Sequence, residues 1–521
     1  MTFNKKAILI LAALIFFHAL SNFYILRQSR LADGCDKADY IDSSVFFNKL
    51  LRQGSYGEVF EEFFLGRGYR KLFPLIGGLW LTLLGQSDPK VINLMILLTN
   101  AVFLSVLLFS VFKIGAILFN QKAGLLAAAL LSFSPKIFGY SRVSLVDFPL
   151  AAMVALSLWC LLKTDNFKSL LFSLVTGVVF ILAQFTRETA VVFITPPFLY
   201  YAFNSLSIRD YRWQRILNFA IVCLLWAVPA IIAYNSQGNQ GIADVFWQKT
   251  LIPAHENEFF YYLTRLPIHY LGWLFFIALL PLILCYGINI KKRSVFLALW
   301  LFVPVLVFSL SPNRITRFLI PGLPALFLLL SFELFHSFAA VRRVYAAVLI
   351  AVAALQYAAF SFYPKSPLFT TAEDDEWGLL CVKQDKDFYS AQELIRIFKS
   401  ENTGTDKKNK VIATFDFPFL SSVYSRFKMD DMPFFIDMPQ GYDGMDTAIP
   451  VASGKINWQE YLLTADYVLD KTGDLGNLGI RENIAGQFKH SLEINYYKFK
   501  KIAEFRAQDG ETIYVYRKKV P

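Results

Sequence analysis

The feature that most restricts the fold of this chain is a series of eleven apolar runs within its first 363 residues. A helix rises about 1.5 Å per residue, so roughly 20 apolar residues are needed to cross a bilayer core of about 30 Å. Lipid cannot hydrogen-bond to an exposed backbone, and such runs are therefore expected to be helical. The predicted spans are 7–26, 91–112, 122–135, 147–162, 169–185, 189–206, 216–234, 268–288, 294–310, 318–335 and 344–363.

The positions of lysine and arginine orient these spans. Loops on the cytoplasmic side of a membrane are enriched in both residues. With eleven spans and a cytoplasmic N-terminus, each connection on that side is basic, as Lys113/Lys122, Lys163/Lys168, Arg209/Arg212/Arg215, Lys291/Lys292/Arg293 and Arg342/Arg343. A further apolar run, 72–85, would place these basic loops on the opposite side if it also crossed the membrane. We therefore expect it to lie at the interface, within a large first extracytoplasmic loop.

The composition changes after residue 363. The last 158 residues hold 45 charged side chains, whereas the first 363 hold 46, and the net charges of the two parts are −3 and +14. Most basic residues of the first part lie in short loops between apolar runs, which argues against nucleic-acid binding. The segment "AQELIRIFKS" has a helical pattern, and "KVIATFD", "ADYVLD", "KKIAEF" and "TIYVYR" are typical of strands. We predict a membrane domain, 1–363, and an extracytoplasmic α/β domain, 364–521.

A group of polar residues falls on the predicted extracytoplasmic side. Four carboxylates, those of Asp33, Asp36, Asp39 and Asp42, follow the first span within ten residues. Other charged or polar side chains at this boundary are Tyr69, Arg70, Lys71, Arg142, Asp147, Arg187, Glu188, Arg314 and Arg317. Charges at a membrane boundary usually mark a functional site or satisfied ion pairs. For one residue the simpler explanation is a snorkelling side chain or a local pair; for several loops on one face, a shared site is favoured.

This combination of side chains suits a reaction of a membrane-borne phosphate. An arginine fork pairs with phosphate oxygens and stabilises charge on a leaving group, while a carboxylate can accept a proton from an attacking hydroxyl. Nucleotide sugars and ATP are cytoplasmic, and the sequence contains no phosphate-binding glycine loop. An activated donor used on the outer side is therefore expected to be linked to a lipid.

Five segments resemble motifs of the GT-C superfamily of polyprenyl-phosphate-sugar glycosyltransferases, in particular its family 39-like bacterial branch. That branch is related to protein O-mannosyltransferases and lipid A aminoarabinose transferases. "DKADY", from Asp36 to Tyr40, resembles the first-loop signature Asp-Glu-x-x-Tyr, and "YRKLFP" resembles the motif that closes this loop. "SPKIFGYSRVSLVDFPL", "TRETA" and "RFLIPGLPAL" are similar to three later motifs. The resemblance covers 1–363.

The resemblance implies a GT-C fold and residue roles. Asp36 takes the role of the base, with Asp147 as a second catalytic carboxylate. Candidates for binding the donor phosphate are Arg142, Arg187, Arg314 and Arg317, with Arg70 and Lys71 as substitutes for the family's usual contact. Tyr40, Asp39 and Glu188 are further site residues. Lys37 replaces the second acid of the signature, so a divalent metal, the family's possible cofactor, is left open.

The implied function is transfer of a sugar from a polyprenyl phosphate to a glycan, lipid or protein acceptor, with inversion, at the outer face of a bacterial inner membrane. For Asp36 an alternative is a helix N-terminus, where carboxylates are favoured. For the whole chain the alternatives are a secondary transporter and a non-catalytic membrane scaffold. Interior spans that are almost free of charge argue against a transporter. Pairing of Cys35 with Cys381 is also left open.

Overall fold

The computed structural model describes residues 5–28, 35–66, 71–85, 89–236, 260–286, 294–311, 315–336, 339–362, 388–401, 409–413, 434–437, 462–472, 490–506 and 511–519. Two compact units divide the chain. The first comprises Met1–Gln28 and Ser43–Val382, and the second Ser29–Asp42 and Lys383–Pro521. The predicted boundary between residues 363 and 364 lies outside the described residues.

The first unit is helical. One helix, α2, begins in the second unit and continues into the first. The described helices are α1 Lys5–Gln28, α2 Cys35–Arg52, α3 Tyr56–Leu65, α4 Leu72–Leu84, α5 Pro89–Leu118, α6 Gln121–Ser132, α7 Pro135–Tyr140, α8 Asp147–Lys163, α9 Leu170–Thr186, α10 Ala190–Leu206, α11 Arg212–Ser236, α12 Tyr261–Arg265, α13 Trp273–Tyr286, α14 Val295–Leu310, α15 Leu323–His336 and α16 Ala339–Phe362. A π-helical turn, Leu266–Leu271, precedes α13, and a 3₁₀ helix, Thr316–Gly322, precedes α15.

Among the described residues, five helical segments are long and apolar enough to cross a membrane, judged by length and composition. They are Lys5–Leu26, Val91–Leu118, Arg212–Ile232, Thr316–Phe335 and Arg342–Phe362. Shorter apolar helices are Leu72–Leu84, Leu170–Thr186, Ala190–Leu206 and Val295–Leu310. A membrane protein built from helices is thus confirmed. The count of eleven spans and their orientation stay predictions.

The predicted span 122–135 is interrupted. Helix α6 ends at Ser132, and the short helix α7 begins at Pro135, with the proline in its first turn. Proline fits this position because its missing N–H has no helical partner there. Twelve residues of α6 reach only about 18 Å, and nine of them are buried, so α6 packs inside the unit.

Glycines allow two pairs of helices to approach closely. A Cβ on Gly115 of α5 would lie 2.4 Å from the Cα of Gly124 in α6. Likewise, a Cβ on Gly78 of α4 would lie 2.6 Å from the Cβ of Phe47 in α2. Small residues at such crossings let helix backbones pack against each other in a membrane. Helix α4 therefore packs on α2, and its Phe73 and Leu81 are fully buried.

The turn between α8 and α9 has an unusual backbone. Asp165, Asn166 and Phe167 have φ values of 51°, 59° and 61°, in the left-handed region. For residues other than glycine this conformation costs roughly 1–2 kcal/mol each. The Phe167 ring is fully buried, and the Asn218 Nδ2 donates to the Phe167 carbonyl at 2.7 Å. These contacts compensate for the strain and fix the turn.

The second unit contains a mixed sheet. Its described elements are α17 Phe388–Glu401, β1 Asn409–Ala413, β2 Phe434–Asp437, β3 Tyr467–Lys471, β4 Phe499–Arg506 and β5 Thr512–Lys518. The five described strands have the order β2-β1-β3-β5-β4, in which β1 pairs in parallel with β2 and β3, and β5 pairs antiparallel with β3 and β4. The predicted helix and all four predicted strands are confirmed, and β2 was not predicted.

Candidate active site

The charged side chains buried in the first unit concentrate around the segment from α7 to α8, the end of α9 and the 3₁₀ helix. At most 9% of the surface of each is exposed. The six that lie there are Lys136, Arg142, Asp147, Arg187, Glu188 and Arg317, while Arg215 of α11 and Glu333 of α15 are buried as well. Five of these six were predicted from the sequence to belong to the site. Burying so much charge is costly unless the groups are paired or hydrogen-bonded, so the local geometry decides what each group can do.

Asp147 and Arg187 form a buried ion pair. Asp147 is the first residue of α8 and Arg187 follows the end of α9. Their side chains are 2% and 5% exposed, and Arg187 Nη1 donates to Asp147 Oδ1. The guanidinium carbon of Arg187 also lies 4.8 Å from the centre of the Phe318 ring. The structure thus joins a predicted carboxylate to a predicted phosphate ligand, two residues that are 40 positions apart.

The 3₁₀ helix carries Arg317 and is held by hydrogen bonds from its neighbours. Trp300 Nε1 donates to the carbonyl of Pro321 at 2.9 Å. Tyr270 Oη donates to the carbonyl of Thr316 at 2.5 Å. Since these bonds fix the backbone on both sides of Arg317, its side chain is attached to a rigid support. Phe318, under the Arg187 guanidinium, belongs to the same turn.

Lys71 lies at the end of the first loop and contacts the end of α9. Its backbone N–H donates to the carbonyl of Phe185 at 2.8 Å, and its Nζ forms an ion pair with Glu62 of α3. Phe63 of α3 packs against the Phe185 ring with a centroid distance of 5.2 Å. Lys71 is therefore anchored beside the segment that leads to Arg187, and its role as a substitute phosphate ligand stays a prediction.

Arg142 has a different environment. Its Nε donates to Asn22 Oδ1 of α1 at 3.1 Å, and its Nη2 donates to Ser361 Oγ of α16 at 2.7 Å. The guanidinium carbon also lies 4.9 Å from the Phe138 ring centre and 5.4 Å from that of Tyr357. These contacts connect α1, α7 and α16. They give Arg142 a structural task, and its predicted role at a phosphate stays a prediction.

The predicted base lies at the start of a helix. Helix α2 starts at Cys35, so Asp36 belongs to its first turn. Carboxylates are favoured there, which strengthens the structural alternative for Asp36. Tyr40 is buried, with 6% of its surface exposed. The side chains of Asp36 and Asp39, and all of Tyr69, Arg70, Arg314 and Cys381, lie outside the described residues.

Sequence reasoning missed one buried cation of this region, Lys136. Its Nζ donates to Thr316 Oγ1 at 2.9 Å, and 6% of its surface is exposed. A complete count of basic residues at the predicted outer boundary would have found it, because it stands in the quoted segment "SPKIFGYSRVSLVDFPL". Among the described residues, no three or more His, Cys, Asp or Glu side chains are grouped to hold a metal ion. The divalent metal that the sequence left open is not decided by this finding.

Comparisons with known proteins support this picture. Residues 74–232 match the family model of dolichyl-phosphate-mannose-protein mannosyltransferases. Over 286 residues the chain is 27% identical to the undecaprenyl phosphate-alpha-4-amino-4-deoxy-L-arabinose arabinosyl transferase of Pseudomonas aeruginosa strain UCBPP-PA14, a match that covers 51% of this chain and 50% of that protein. The chain thus spans about half the length of the curated relatives that it matches.

Solved structures extend the similarity to nearly the whole chain. The apo crystal structure of ArnT from Cupriavidus metallidurans superposes with a TM-score of 0.60 at 12% identity and covers 98% of both chains. The archaeal oligosaccharyltransferase AglB from Archaeoglobus fulgidus gives a TM-score of 0.53 at 11% identity, covering 97% of this chain and 74% of that one.

The fold is therefore that of ArnT and AglB, as the predicted GT-C-type architecture requires. In sequence the chain is similar to the mannosyltransferase family model and to the aminoarabinose transferases, as its motifs predicted. The predicted multi-pass bacterial inner-membrane protein is likewise supported by the apolar helices and these relatives.

Proposed function

We propose that this protein is a membrane glycosyltransferase that uses a polyprenyl-phosphate-linked sugar as its donor. The observation that carries the proposal is the buried site of Asp147, Arg187 and Arg317 inside a GT-C fold. A phosphate leaving group needs fixed positive charge where its own charge develops. Arginines on rigid supports supply that charge without reorganising during the reaction.

The donor class is suggested by both the site and the relatives. The crystal structure of ArnT from Cupriavidus metallidurans bound to undecaprenyl phosphate has a TM-score of 0.58 to this chain, at 12% identity, and covers 98% of this chain and 97% of that one. The AglB structure contains a dolichol-phosphate and an inhibitory peptide. Both lipids are polyprenyl phosphates. A donor of this kind would place its phosphate near Arg187 and Arg317 and its chain among the apolar helices.

The proposed reaction is a single displacement. The acceptor hydroxyl or amine loses its proton to the Asp36 carboxylate and attacks the anomeric carbon of the sugar, while the bond from that carbon to the phosphate oxygen breaks. The configuration at this carbon inverts, and the lipid phosphate leaves with the electron pair. Arg187 and Arg317, together with Lys71, stabilise the departing charge. Arg142, Arg314 and Arg70 remain further candidate ligands, and Asp147 holds Arg187 in place.

The proposed reaction also requires an orientation of the protein in the membrane and a class of acceptor. We infer that the N-terminus is cytoplasmic and that the site and the second unit are extracytoplasmic, because this orientation keeps the Lys- and Arg-rich loops inside. The acceptor is a hydroxyl- or amine-bearing glycan, lipid or protein. Glu188, Asp39 and Tyr40 are proposed to line the site on the acceptor side.

The test is a transfer assay with purified full-length protein in lipid nanodiscs. Radiolabelled polyprenyl-phosphate sugars are offered with membrane extracts as acceptors, and labelled product is measured. Asp36→Asn is expected to lower the rate by about 10²–10³-fold, the usual effect of losing one preorganised polar group. Asp210→Asn, which changes an exposed carboxylate before α11, serves as the control and should leave the rate unchanged.

Full activity of Asp36→Asn would remove Asp36 as the base. Transfer from nucleotide sugars but not from polyprenyl-phosphate sugars would contradict the donor class. Ion-driven uptake into liposomes without any transfer would instead support the transporter alternative.

A further inference from the structure

Lys136 is a buried cation to which none of the motifs assigned a role. It is the second residue of α7, and its Nζ donates to Thr316 Oγ1 at 2.9 Å. The same ammonium lies 5.7 Å from the centre of the Tyr140 ring. A lysine is rarely buried to this degree, because an ammonium loses a large hydration energy when it leaves water. A position that keeps such a charge usually has a function for it.

Further hydrogen bonds connect the segments that carry Lys136 and Thr316. Ser134 Oγ, two residues before Lys136, donates to the Tyr270 carbonyl at 2.8 Å. Tyr270 Oη in turn donates to the Thr316 carbonyl. The contact between Lys136 and Thr316 closes a ring that runs from α7 through the π-helical turn to the 3₁₀ helix. The ammonium is therefore held at a defined place beside Thr316, the residue that precedes Arg317 in the chain.

Several buried cations meet at this 3₁₀ helix. Among the described residues, the buried cations at the helix or in contact with it are Lys136, Arg187 and Arg317. The buried carboxylates beside them are Asp147, which pairs with Arg187, and Glu188. Several buried cations that meet at one short helix form a place suited to an anion, and a phosphate bound there would accept hydrogen bonds from them.

We propose that Lys136 is a further binding residue for the phosphate of the lipid-linked donor and that Thr316 is its positioning residue. This inference rests on the proposed function and adds a cation to the same site. An ammonium has three N–H donors on a flexible stem, so Lys136 can keep its bond to Thr316 and donate another to a phosphate oxygen. Thr316 fixes the direction from which the ammonium approaches.

The experiment measures binding of farnesyl phosphate, farnesol and inorganic phosphate to the purified full-length protein in detergent. Farnesyl phosphate carries the prenyl chain and the phosphate, farnesol lacks the phosphate, and inorganic phosphate lacks the lipid. Lys136→Met is expected to raise the Kd for farnesyl phosphate at least about tenfold and to leave the Kd for farnesol unchanged. Inorganic phosphate should bind the native protein far more weakly than farnesyl phosphate.

Lys163→Met is the matched control. Lys163 ends α8, about 24 Å along the helix from Asp147, and its ammonium also lies over an aromatic ring, 5.0 Å from the centre of Phe172. Its replacement should not change any Kd. Arg317→Met should weaken farnesyl phosphate binding as much as Lys136→Met does.

Two variants of Thr316 test the positioning role without removing a charge. Thr316→Val removes the hydroxyl in a side chain of the same shape and should weaken farnesyl phosphate binding severalfold, whereas Thr316→Ser restores the hydroxyl and the native Kd. The same pair decides the question if Lys136→Met does not fold. A Kd equal to native for both Thr316 variants would remove the positioning role.

The inference and the proposed function fail in different ways. If the native protein binds farnesyl phosphate and Arg317→Met loses it while Lys136→Met does not, only the role of Lys136 is wrong. If the native protein does not distinguish farnesyl phosphate from farnesol, the lipid-phosphate site is wrong altogether. Inorganic phosphate binding as tightly as farnesyl phosphate would also overturn the lipid as the source of the anion.

Discussion

At the scale of single residues, the paired state of Asp147 and Arg187 decides how both act. Each was singled out from its place at the end of an apolar run, and the family resemblance then implied the roles of a catalytic carboxylate and a phosphate ligand. In the structure the carboxylate is already occupied by the guanidinium. A carboxylate held in this way is better suited to fixing the direction of an arginine than to removing a proton from an acceptor.

Loss of this pair should destabilise the protein. Asp147→Asn leaves the Arg187 guanidinium buried without its carboxylate, and breaking a buried pair typically costs about 3–5 kcal/mol. We expect a clear fall in the thermal unfolding midpoint in detergent. Glu504→Gln is the control, since it breaks the exposed pair of Lys501 and Glu504, in which both side chains are about half exposed. Such a pair contributes little, and the midpoint should not change.

Equal midpoints for Asp147→Asn and Glu504→Gln would show that Asp147 does not carry a buried charge. A normal midpoint with lost transfer would instead return Asp147 to a direct catalytic role.

At this scale the sequence predicted where candidate site residues lie along the chain. It did not predict which side chains contact each other. Polar residues next to apolar runs were identified because charge is unfavourable in hydrocarbon. The bond of Lys136 to Thr316 spans 180 positions, and that of Arg142 to Ser361 spans 219. No spacing rule links residues so far apart, and for this reason Lys136 was missed and the structural contacts of Arg142 were not foreseen.

At the scale of elements, the glycines of α4 pack against α2 from Ser44 onward. Asp36 belongs to the first turn of α2, and Ser44 and Phe47 of the same helix lie against the glycines of α4. A Cβ on Gly77 would lie 2.5 Å from Ser44 Oγ, and one on Gly78 would lie 3.0 Å from the backbone nitrogen of Asn48. Backbone cannot move aside as a side chain can, so Gly78 is the stricter contact.

Gly78→Ala should therefore separate α2 from α4. We expect a lower unfolding midpoint and a transfer rate reduced at least about tenfold, since small displacements of catalytic groups are costly. The control is Gly57→Ala in α3, where an added Cβ would meet nothing within 4 Å. Alanine is the better helix former by about 1 kcal/mol, and that change should be neutral or stabilising. Matching behaviour of the two variants would exclude the close crossing.

The elements predicted correctly are those with a strong local pattern. Long apolar runs gave the membrane helices, and alternating β-branched and aromatic residues gave β1, β3, β4 and β5. The turns were not predictable. The 3₁₀ helix depends on Trp300 and Tyr270 from other segments, and β2 is only four residues long. These features arise from tertiary contacts, which a window of sequence does not contain.

At the scale of the whole molecule, the proposed reaction requires one orientation in the membrane. The first loop and the 3₁₀ helix must face one compartment, and the basic loops between α8 and α9 and before α11 must face the other. This orientation is the one that the distribution of Lys and Arg predicts.

Labelling of single cysteines tests that orientation. In a variant without the five native cysteines, Gln53→Cys after α2 should react with a membrane-impermeant maleimide in intact spheroplasts. Trp213→Cys, at a side chain 82% exposed, should react only after lysis. Ala128→Cys, fully buried in α6, is the control and should stay unlabelled in both conditions. Labelling of positions 53 and 213 from the same side would contradict the shared outer site.

The left-handed turn after α8 has a practical bearing on such mapping. Its Phe167 ring fills a space lined by Tyr201 and Phe219, with centroid distances of 5.6 Å to each, and Asn166 N–H donates to Tyr201 Oη at 2.7 Å. A reporter tag inserted at this turn would displace the Phe167 ring from its buried position. The three left-handed φ angles would then lack the contacts that compensate for their strain. Fusion sites are better chosen around Arg209, where the side chains of residues 207–210 are all exposed.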